Sequence, residues 1–518
     1  MSSGRGVFAP FLRLSAIAAV VVLCGPQLVA QQTFGGITGT VTDSSGGVIA
    51  GVTIKLVEEH TGLSRQGKSN ASGVYLFPDL PIGDYVITYT NEGFQSQKLP
   101  HIAVQGQRTA TLNVQLKPGA ASTTIEVQES PLLNAVDTTN GYILERAQID
   151  SIPLPTGSFT GLAILTPGVN AELNGGTGSN TGLGNAPIWA NGQRDTSNSF
   201  LLNGVDASNL FNGKSTSQVA SARVVLNTGE GNSDSGGVVQ SSASVYLAIG
   251  QALPTPAPET LQELRVNASM YDAQQGSSSG AHIDMSTGTG TNTLHGSGYF
   301  RRGTDWLNAA PFFFKQDDSI PADEKLPQLH RYTAGGTVGG AIIKDKLFGY
   351  LGYQHLHVAD QEIGISRLTV PVGLTDDRSA AGLAALGNQN FGGNLTAGNI
   401  SPVALFLMQY PSLPGQPGKW LIPNDSRNDG SNGSDPLTPA DPYNASIPGT
   451  SRFTSDQVVS DLDWNANAKD IVSAKYYYQH DPTVAPYAYS AIPGFTEHMD
   501  AGSQVIALTN TLLLKPNL

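Results

Sequence analysis

The chain has 518 residues, of which only 13% are charged and 60 are glycines. Low charge combined with many Gly, Asn, Ser and Thr residues is typical of β-rich chains with many turns, and it argues against a helical enzyme. The formal net charge is −13, and no Lys/Arg run is present that could track a phosphate backbone. We therefore expect no nucleic-acid partner.

Residues 1–30 have the pattern of a secretory signal peptide. Arg5 and Arg13 precede an apolar run at residues 14–23, and small residues follow this run. This run is shorter than the about 20 residues that cross a bilayer, so an uncut signal anchor is the weaker alternative. The only cysteine, Cys24, lies in this leader. It lacks the preceding small residue of a lipidated cysteine, so we expect a mature chain without disulfides.

Period-2 alternation dominates residues 33–118, with turn residues between short apolar runs. This pattern predicts a small antiparallel β-sandwich. Tyr75, Phe77 and Tyr85 are expected to fill the space between its two sheets. Gly73 is expected to allow a turn.

Three segments of this region resemble the carboxypeptidase regulatory-like domain: Gly39-Thr40-Val41-Thr42-Asp43, Gly73-Val74-Tyr75-Leu76-Phe77 and Leu80-Pro81-Ile82-Gly83-Asp84-Tyr85. The resemblance implies a prealbumin-like sandwich, classed with carbohydrate-binding-like folds. It implies no peptidase activity, because fold does not determine function. A role as a structural spacer and a role in contacting a glycan or protein both stay open.

A linker at residues 119–127 ends in a short extended segment, Thr124, Ile125, Glu126 and Val127. Such a segment can add a strand to the sheet edge of a partner. In TonB-dependent receptors a similar box, just ahead of the plug, pairs with the TonB energy-coupling protein. We therefore interpret these four residues as a candidate TonB box. The alternative is an ordinary strand, either the last of the sandwich or the first of the next domain.

Residues 128–290 contain apolar segments interrupted by Gly/Asn/Ser-rich loops. The order of four motifs resembles the plug of TonB-dependent receptors, closest to the Oar-like subgroup: Pro167-Gly168-Val169, Asn191-Gly192-Gln193-Arg194, Asn203-Gly204-Val205-Asp206 and Gly288-Thr289-Gly290-Thr291-Asn292. Arg194 could pair with a barrel carboxylate and Asp206 could bind a substrate hydroxyl, but structural pairing is favoured for both. An insertion at residues 219–258 is either a plug loop or a solvated excursion.

Alternating strands recur through residues 293–518 and predict the start of a transmembrane β-barrel. Apolar residues at even positions of 332–342 oppose Arg331, Thr333 and Thr337. Trp464, Tyr476 and Tyr478 are candidates for an aromatic girdle. The polar stretch at 359–455 is placed outside the cell. A soluble sandwich would alternate equally well, but the preceding plug-like region favours the barrel.

The predicted fold class is mainly β: an N-terminal prealbumin-like β-sandwich, an α+β plug domain, then the first strands of an incomplete transmembrane β-barrel. A plugged transporter barrel has about 22 strands, so we expect a truncated fragment. No metal, cofactor or catalytic set is recognisable, and we expect no enzyme.

The predicted function is that of an outer-membrane receptor with a periplasmic N-terminal domain. Its expected partners are TonB, outer-membrane lipid and an unidentified ligand, with carbohydrate and peptide among the possibilities. The alternative is a secreted or surface β-sandwich protein that binds carbohydrate without transport.

Overall fold

The computed structural model describes residues 34–119, 124–126, 140–154, 158–171, 188–208, 253–269, 278–310, 312–316, 325–326, 328–360, 365–413, 419–425, 444–485 and 496–513. Strands dominate this part of the chain, as the sequence predicts. No helix in these ranges combines the length and the apolar character needed to cross a bilayer. The predicted signal peptide at 1–30 lies outside the described residues.

Nine strands form a two-sheet sandwich at the N-terminal end: β1 (Gly35–Thr42), β2 (Thr53–Glu58), β3 (Ser64–Lys68), β4 (Val74–Leu80), β5 (Gly83–Thr90), β6 (Ser96–Val104), β7 (Thr109–Thr111), β8 (Val114–Gln115) and β9 (Thr124–Glu126). One sheet has the order β4-β1-β7, with β8 also pairing with β1. The other has the order β3-β2-β5-β6-β9. The two sheets share one apolar core.

Aromatic residues fill that core where the alternation predicts them. Tyr75, Phe77 and Tyr85 are buried, and the Tyr75 hydroxyl lies 2.8 Å from the Tyr89 hydroxyl and donates to the Leu112 carbonyl at 2.7 Å. Each buried hydroxyl thereby has a polar partner, which removes most of the cost of burying it. Gly73 has a φ of +73°, as its predicted turn requires.

The next region, which resembles a plug, is an α+β unit. Its strands are β10 (Asn140–Glu145), β11 (Val169–Ala171), β12 (Ile188–Ala190), β13 (Ser199–Leu202), β14 (Val205–Asp206), β15 (Leu261–Ser269) and β16 (His282–Thr287). Its helices are α1 (Arg146–Ser151) and α2 (Thr160–Ala163). Five strands form a mixed sheet in the order β10-β15-β16-β13-β14, and β11 pairs with β12.

A tight hairpin joins β13 to β14, as the Asn-Gly dipeptide predicts. Asn203 and Gly204 have φ angles of +54° and +77°, the backbone conformation of a two-residue hairpin turn. The Asn203 carboxamide oxygen also accepts a hydrogen bond from the Thr287 backbone N–H at 3.0 Å. This bond ties the hairpin to the end of β16.

Six long strands form an antiparallel sheet, here called the barrel sheet: β17 (His295–Thr304), β18 (Leu329–Ile343), β19 (Leu347–Asp360), β22 (Ser451–Asn467), β23 (Asp470–Ala485) and β24 (Glu497–Leu512). They pair in chain order, and β17 and β24 form the two edges in the described part of the chain. The sheet is thus not closed, in agreement with the predicted incomplete barrel. A short helix, α3 (Phe312–Gln316), follows β17.

The two faces of the barrel sheet differ in character. One face packs on the plug-like unit, with Tyr350, Val459, Tyr477 and Val505 joining the core of that unit. The opposite face exposes large apolar side chains: Val338, Ile342, Leu351, Leu462, Trp464, Ile506 and Leu508. Because side chains alternate along each strand, both faces follow from the period-2 pattern.

The two ends of the barrel sheet also differ. Short turns join β18 to β19 and β22 to β23. The β18–β19 turn faces the sandwich. The Asn292 side chain donates to Asp345 of this turn at 2.7 Å, and the Asn292 backbone N–H donates to the carbonyl of His60 in the sandwich at 2.8 Å. At the opposite end the chain makes long excursions between strands. The longest joins β19 to β22.

That excursion, expected to be a polar loop, is partly folded. It contains β20 (Ile365–Leu368) paired with β21 (Ala445–Pro448), and the helices α4 (Ala380–Phe391) and α5 (Pro402–Met408). Val370, Leu374, Leu383 and Ala445 form a small apolar core there. A satellite core of this kind gives the excursion a defined shape.

Candidate functional site: the junction of the sandwich, the plug-like unit and the barrel sheet

The structure places three of the four candidate TonB-box residues in β9. Thr124, Ile125 and Glu126 pair in parallel with Ser96, Gln97 and Lys98 of β6, and Val127 lies outside the described residues. The segment is thus extended, as predicted, and it is the edge strand of the sandwich sheet. Of the two strand alternatives, this pairing corresponds to the last strand of the sandwich. Strand addition to a partner stays a prediction.

A loop of the sandwich contacts the buried strands of the plug-like unit. The carbonyl of Gly106 accepts a hydrogen bond from the Arg265 guanidinium at 2.6 Å. The side-chain amide of Gln107 donates to the Asp284 carboxylate at 2.7 Å. The backbone N–H of Gly106 donates to Glu263 at 3.4 Å. We call these five residues the clamp, because they bind the sandwich to β15 and β16.

The clamp buries two carboxyl groups beside one arginine. Burial raises the pKa of Glu263 to about 8, and the neighbouring Asp284 adds to the shift. Burial likewise raises the pKa of Asp284 to about 7, while the charge of Arg265 acts in the opposite direction. A carboxyl with such a pKa holds its proton near neutral pH, which lowers the cost of burying it next to a second acid.

The pKa of a histidine on the same strand as Asp284 shifts in the opposite direction. Burial lowers the pKa of His282 to about 4, and the positive charge of Arg265 lowers it further. The imidazole is therefore neutral at neutral pH. With one arginine as its permanent positive charge, the clamp region contains groups whose protonation depends on pH on both sides of neutrality.

The plug-like unit contacts the barrel sheet through a proline-rich segment. The backbone N–H of Thr255 lies 2.9 Å from the Gln479 amide oxygen, and its carbonyl accepts from Gln457 at 2.9 Å. Leu253 and Ala257 on either side are buried. The described end of the predicted insertion is therefore packed inside the molecule. It is not a solvated excursion.

An ion pair adds a second contact between these units. Arg301 of β17 pairs with Glu259, which directly follows the proline-rich segment. Arg146 of α1 donates to the carbonyls of Glu259 and Leu261, the latter at 3.1 Å. These bonds satisfy backbone acceptors at the start of β15 and hold it against the first strand of the barrel sheet.

Arg194 and Asp206 both lie on the exposed surface. Arg194 is exposed, and no ion pair joins it to another residue of the described part. Asp206 is also exposed, and its carboxylate accepts from the Ser208 backbone N–H at 2.9 Å, which caps the turn after β14. The barrel partner considered for Arg194 is thus not found among the described residues. For Asp206, the sequence favoured the pairing of a buried charge, whereas the structure shows an exposed carboxylate with a local hydrogen bond.

A cavity of about 390 Å³ lies where the sandwich, the plug-like unit and the barrel sheet meet. Glu58 and His60 line it from the sandwich, Thr287 from β16, and His295 and Lys475 from the barrel sheet. The lining combines apolar side chains, among them Phe348 and Ile471, with hydroxyl groups and charges of both signs. This cavity could not be predicted from the sequence, because its walls come from three separate regions.

Two further groups of polar residues lie on the barrel sheet and its excursion. His355 and His357 share one face of β19, where they contact the ring of Tyr332, and His355 bonds to Asp456 at 2.8 Å. No cluster of three or more potential metal ligands occurs in the described ranges. In the excursion, the buried Arg378 donates to the Thr375 carbonyl at 2.7 Å.

Comparison with known protein families identifies the class. An outer membrane beta barrel domain matches residues 286–518, and a carboxypeptidase regulatory-like domain matches residues 36–117. The first match covers the barrel sheet and the second covers most of the sandwich. The chain is therefore similar to an outer-membrane β-barrel domain in one part and to a regulatory-like domain in another, in agreement with the resemblances found in the sequence.

Among curated proteins, the chain is a homologue of a TonB-dependent transporter, Oar of Myxococcus xanthus. The two are 24% identical over 348 residues, which is 65% of this chain and 28% of that protein. The chain thus spans about 28% of the length of this relative. The expected resemblance to TonB-dependent receptors of the Oar-like subgroup is confirmed.

Matches among solved structures include a transporter and a receptor. The outer membrane transporter YddB from Escherichia coli is 11% identical, with a TM-score of 0.39, and the match covers 72% of this chain and 37% of that one. The siderophore receptor PirA from Acinetobacter baumannii is 12% identical, with a TM-score of 0.33 and coverage of 69% and 33%.

Proposed function

We propose that this protein acts as an outer-membrane receptor that takes up a ligand with energy supplied by a TonB-type partner. The two-sided barrel sheet carries the proposal. One face packs on the plug-like unit and the other exposes Leu351, Leu462, Ile506 and Leu508. A row of large apolar side chains facing outwards costs free energy in water and matches the lipid-facing surface of a membrane barrel.

The ends of the barrel sheet support an orientation. Membrane barrels of this type have short turns on the periplasmic side and long loops on the outer side. The short β18–β19 turn, at Asp345, contacts the sandwich side of the molecule, and the folded excursion lies at the opposite end. The sandwich is therefore proposed to be periplasmic. The ligand is proposed to bind among the outer excursions.

The domain organisation is part of the proposal: a signal peptide at 1–30, the regulatory-like sandwich at 33–118, a linker with the TonB box at 119–127, the plug at 128–290 and the barrel start at 293–518. In this scheme the partner supplies the motion. The clamp and the contacts at Thr255 are then the bonds that rearrange when the partner pulls. No catalytic residue is required, because the chemistry is binding and release.

A membrane-insertion experiment tests the barrel. The full-length gene product, expressed in a Gram-negative host, is expected in the outer-membrane fraction and should resist carbonate extraction. It should migrate differently in unboiled and boiled gels, because closed barrels resist unfolding. Release by carbonate without detergent would contradict the proposal and favour a secreted sandwich protein.

A second experiment tests the TonB box. Ile125→Pro removes one backbone N–H and constrains the backbone, so binding of the TonB periplasmic domain should weaken by about tenfold or more. Ile125→Val is the matched control and should bind within about twofold of the unmodified chain, since it keeps an apolar β-former. Biolayer interferometry with the chain in detergent measures both. Equal binding by the two variants would contradict the assignment of the TonB box to these residues.

A further inference from the structure

The candidate box is already a strand before any partner arrives. Thr124–Glu126 pairs in parallel with β6, and the sheet order of the described residues ends at this strand. An edge strand presents unpaired backbone N–H and C=O groups, which another strand can extend. The position of β9 therefore raises the question of how a partner reaches it.

Backbone bonds tether the chain just before the box. The Gln95 N–H donates to the Lys117 carbonyl at 2.9 Å, and the Gly119 N–H donates to the Gly93 carbonyl at 3.0 Å. Only four residues, 120–123, separate Gly119 from Thr124. The tether therefore keeps the box close to β6, because a short connection gives a high local concentration.

Strand geometry leaves the outer side of β9 open to a partner. Along a strand, the N–H and C=O groups of alternate residues point to opposite edges. In β9 one set faces β6 and the other set faces outwards. A partner strand can therefore bind the outer set while β6 keeps the inner set.

We propose that the regulatory-like sandwich presents the box as a preformed edge strand, so that the TonB-type partner extends the sandwich sheet beyond β9. This inference rests on the proposed function and names the surface that the partner binds. Preformed pairing lowers the entropy lost on binding, because the segment is already extended. The opposing model is release, in which the box must leave β6 before the partner can bind.

A disulfide lock separates the two models. Gln97 and Ile125 are Cα partners, so the full chain with Gln97→Cys, Ile125→Cys and Cys24→Ala should form a cross-link on oxidation. Failure to cross-link would overturn the pairing and the proposal with it. The control lock is Thr53→Cys with Lys68→Cys, which joins β2 to β3 in the same sheet without involving β9.

The probe is the purified periplasmic domain of the TonB protein from the same genome, and the readout is its Kd. If the sandwich presents the box, the oxidised Gln97/Ile125 variant binds as tightly as its own reduced form, within about threefold, or more tightly. If release is required, oxidation weakens binding by about tenfold or more, and the proposal is wrong. The control lock should leave the Kd unchanged on oxidation.

The reduced variants distinguish this inference from the proposed function. Binding by both reduced variants with loss only in the Gln97/Ile125 lock would reject presentation but keep TonB coupling. No binding by the unmodified chain or by either reduced variant would reject TonB coupling itself, and the inference with it. Each outcome thus supports or overturns one identified statement.

Discussion

Glu263 and Asp284 share a buried site with one arginine, and their pKa values near 8 and 7 make the clamp sensitive to pH. A carboxyl whose pKa is raised by folding stays protonated while the unfolded chain loses the proton. The contribution of such a carboxyl to stability is therefore complete below its unfolded pKa of about 4, and it is lost as pH rises through its folded pKa. His282 acts oppositely, since its lowered pKa costs stability as pH falls below about 6.5.

Two carboxyls outweigh one histidine, so we expect the free energy of unfolding to fall as pH rises from 5 to 8. Asp284→Asn should flatten this decline, because the amide has no proton to lose but still accepts from Gln107. Urea unfolding of the chain in detergent at pH 5, 6.5 and 8 measures the effect. Gln66→Glu, on an exposed part of β3, is the control and should keep the unmodified profile. A decline equally steep in Asp284→Asn would contradict the assignment.

At the scale of elements, the folded excursion between β19 and β22 depends on Arg378. Its guanidinium donates to the Ile422 carbonyl at 3.2 Å and to the Asn424 side chain at 2.7 Å, and it stacks over the Trp420 ring. It thus joins the start of α4 to the segment that follows α5. Removing one such residue leaves several buried acceptors without a donor, at a cost of about 1–3 kcal/mol.

Arg378→Ala should therefore loosen the excursion without disturbing the barrel sheet. We expect native-state chymotrypsin cleavage within residues 369–425 to become at least about tenfold faster, since about 1.4 kcal/mol corresponds to a factor of ten. Heat-modifiable migration should stay unchanged. Lys419→Ala, which removes an exposed side chain from the same surface, is the control. Loss of outer-membrane insertion in Arg378→Ala would show that the excursion is not an independent element.

At the scale of the whole molecule, the exposed face of the barrel sheet determines the environment in which the protein is stable. Leu508 is 78% exposed in the C-terminal half of β24, on the face opposite the plug-like unit. Leu508→Lys should impair insertion, because a lysine on the lipid face costs about 2–4 kcal/mol at the midplane, and the cost falls towards the interfaces. Asn510→Lys, on the same face and closer to the strand end, is the control. Equal outer-membrane yields for the two variants would argue against a lipid-facing surface.

The alternation of apolar and polar residues was sufficient to predict most strands and their two faces. Because successive side chains of a strand point to opposite faces, Leu462 and Trp464 lie on one face and Asp461 on the other, whichever fold contains the strand. The Asn203-Gly204 turn could be predicted for the same reason, because its conformation depends on two residues alone. The core of the excursion could not, because Val370 and Ala445 are far apart in a polar stretch.

The sequence by itself determined the local properties: the extended segments, the tight turns and the resemblance to TonB-dependent receptors. Only the tertiary structure decided which distant groups meet. Gln107 and Asp284 lie 177 positions apart. A short apolar pattern also could not show whether Thr124–Glu126 pairs with β6 or forms a strand of the next domain. The physical reason is that strand propensity depends on neighbouring residues, whereas burial, shifted pKa values and strand partners depend on contacts made only after folding.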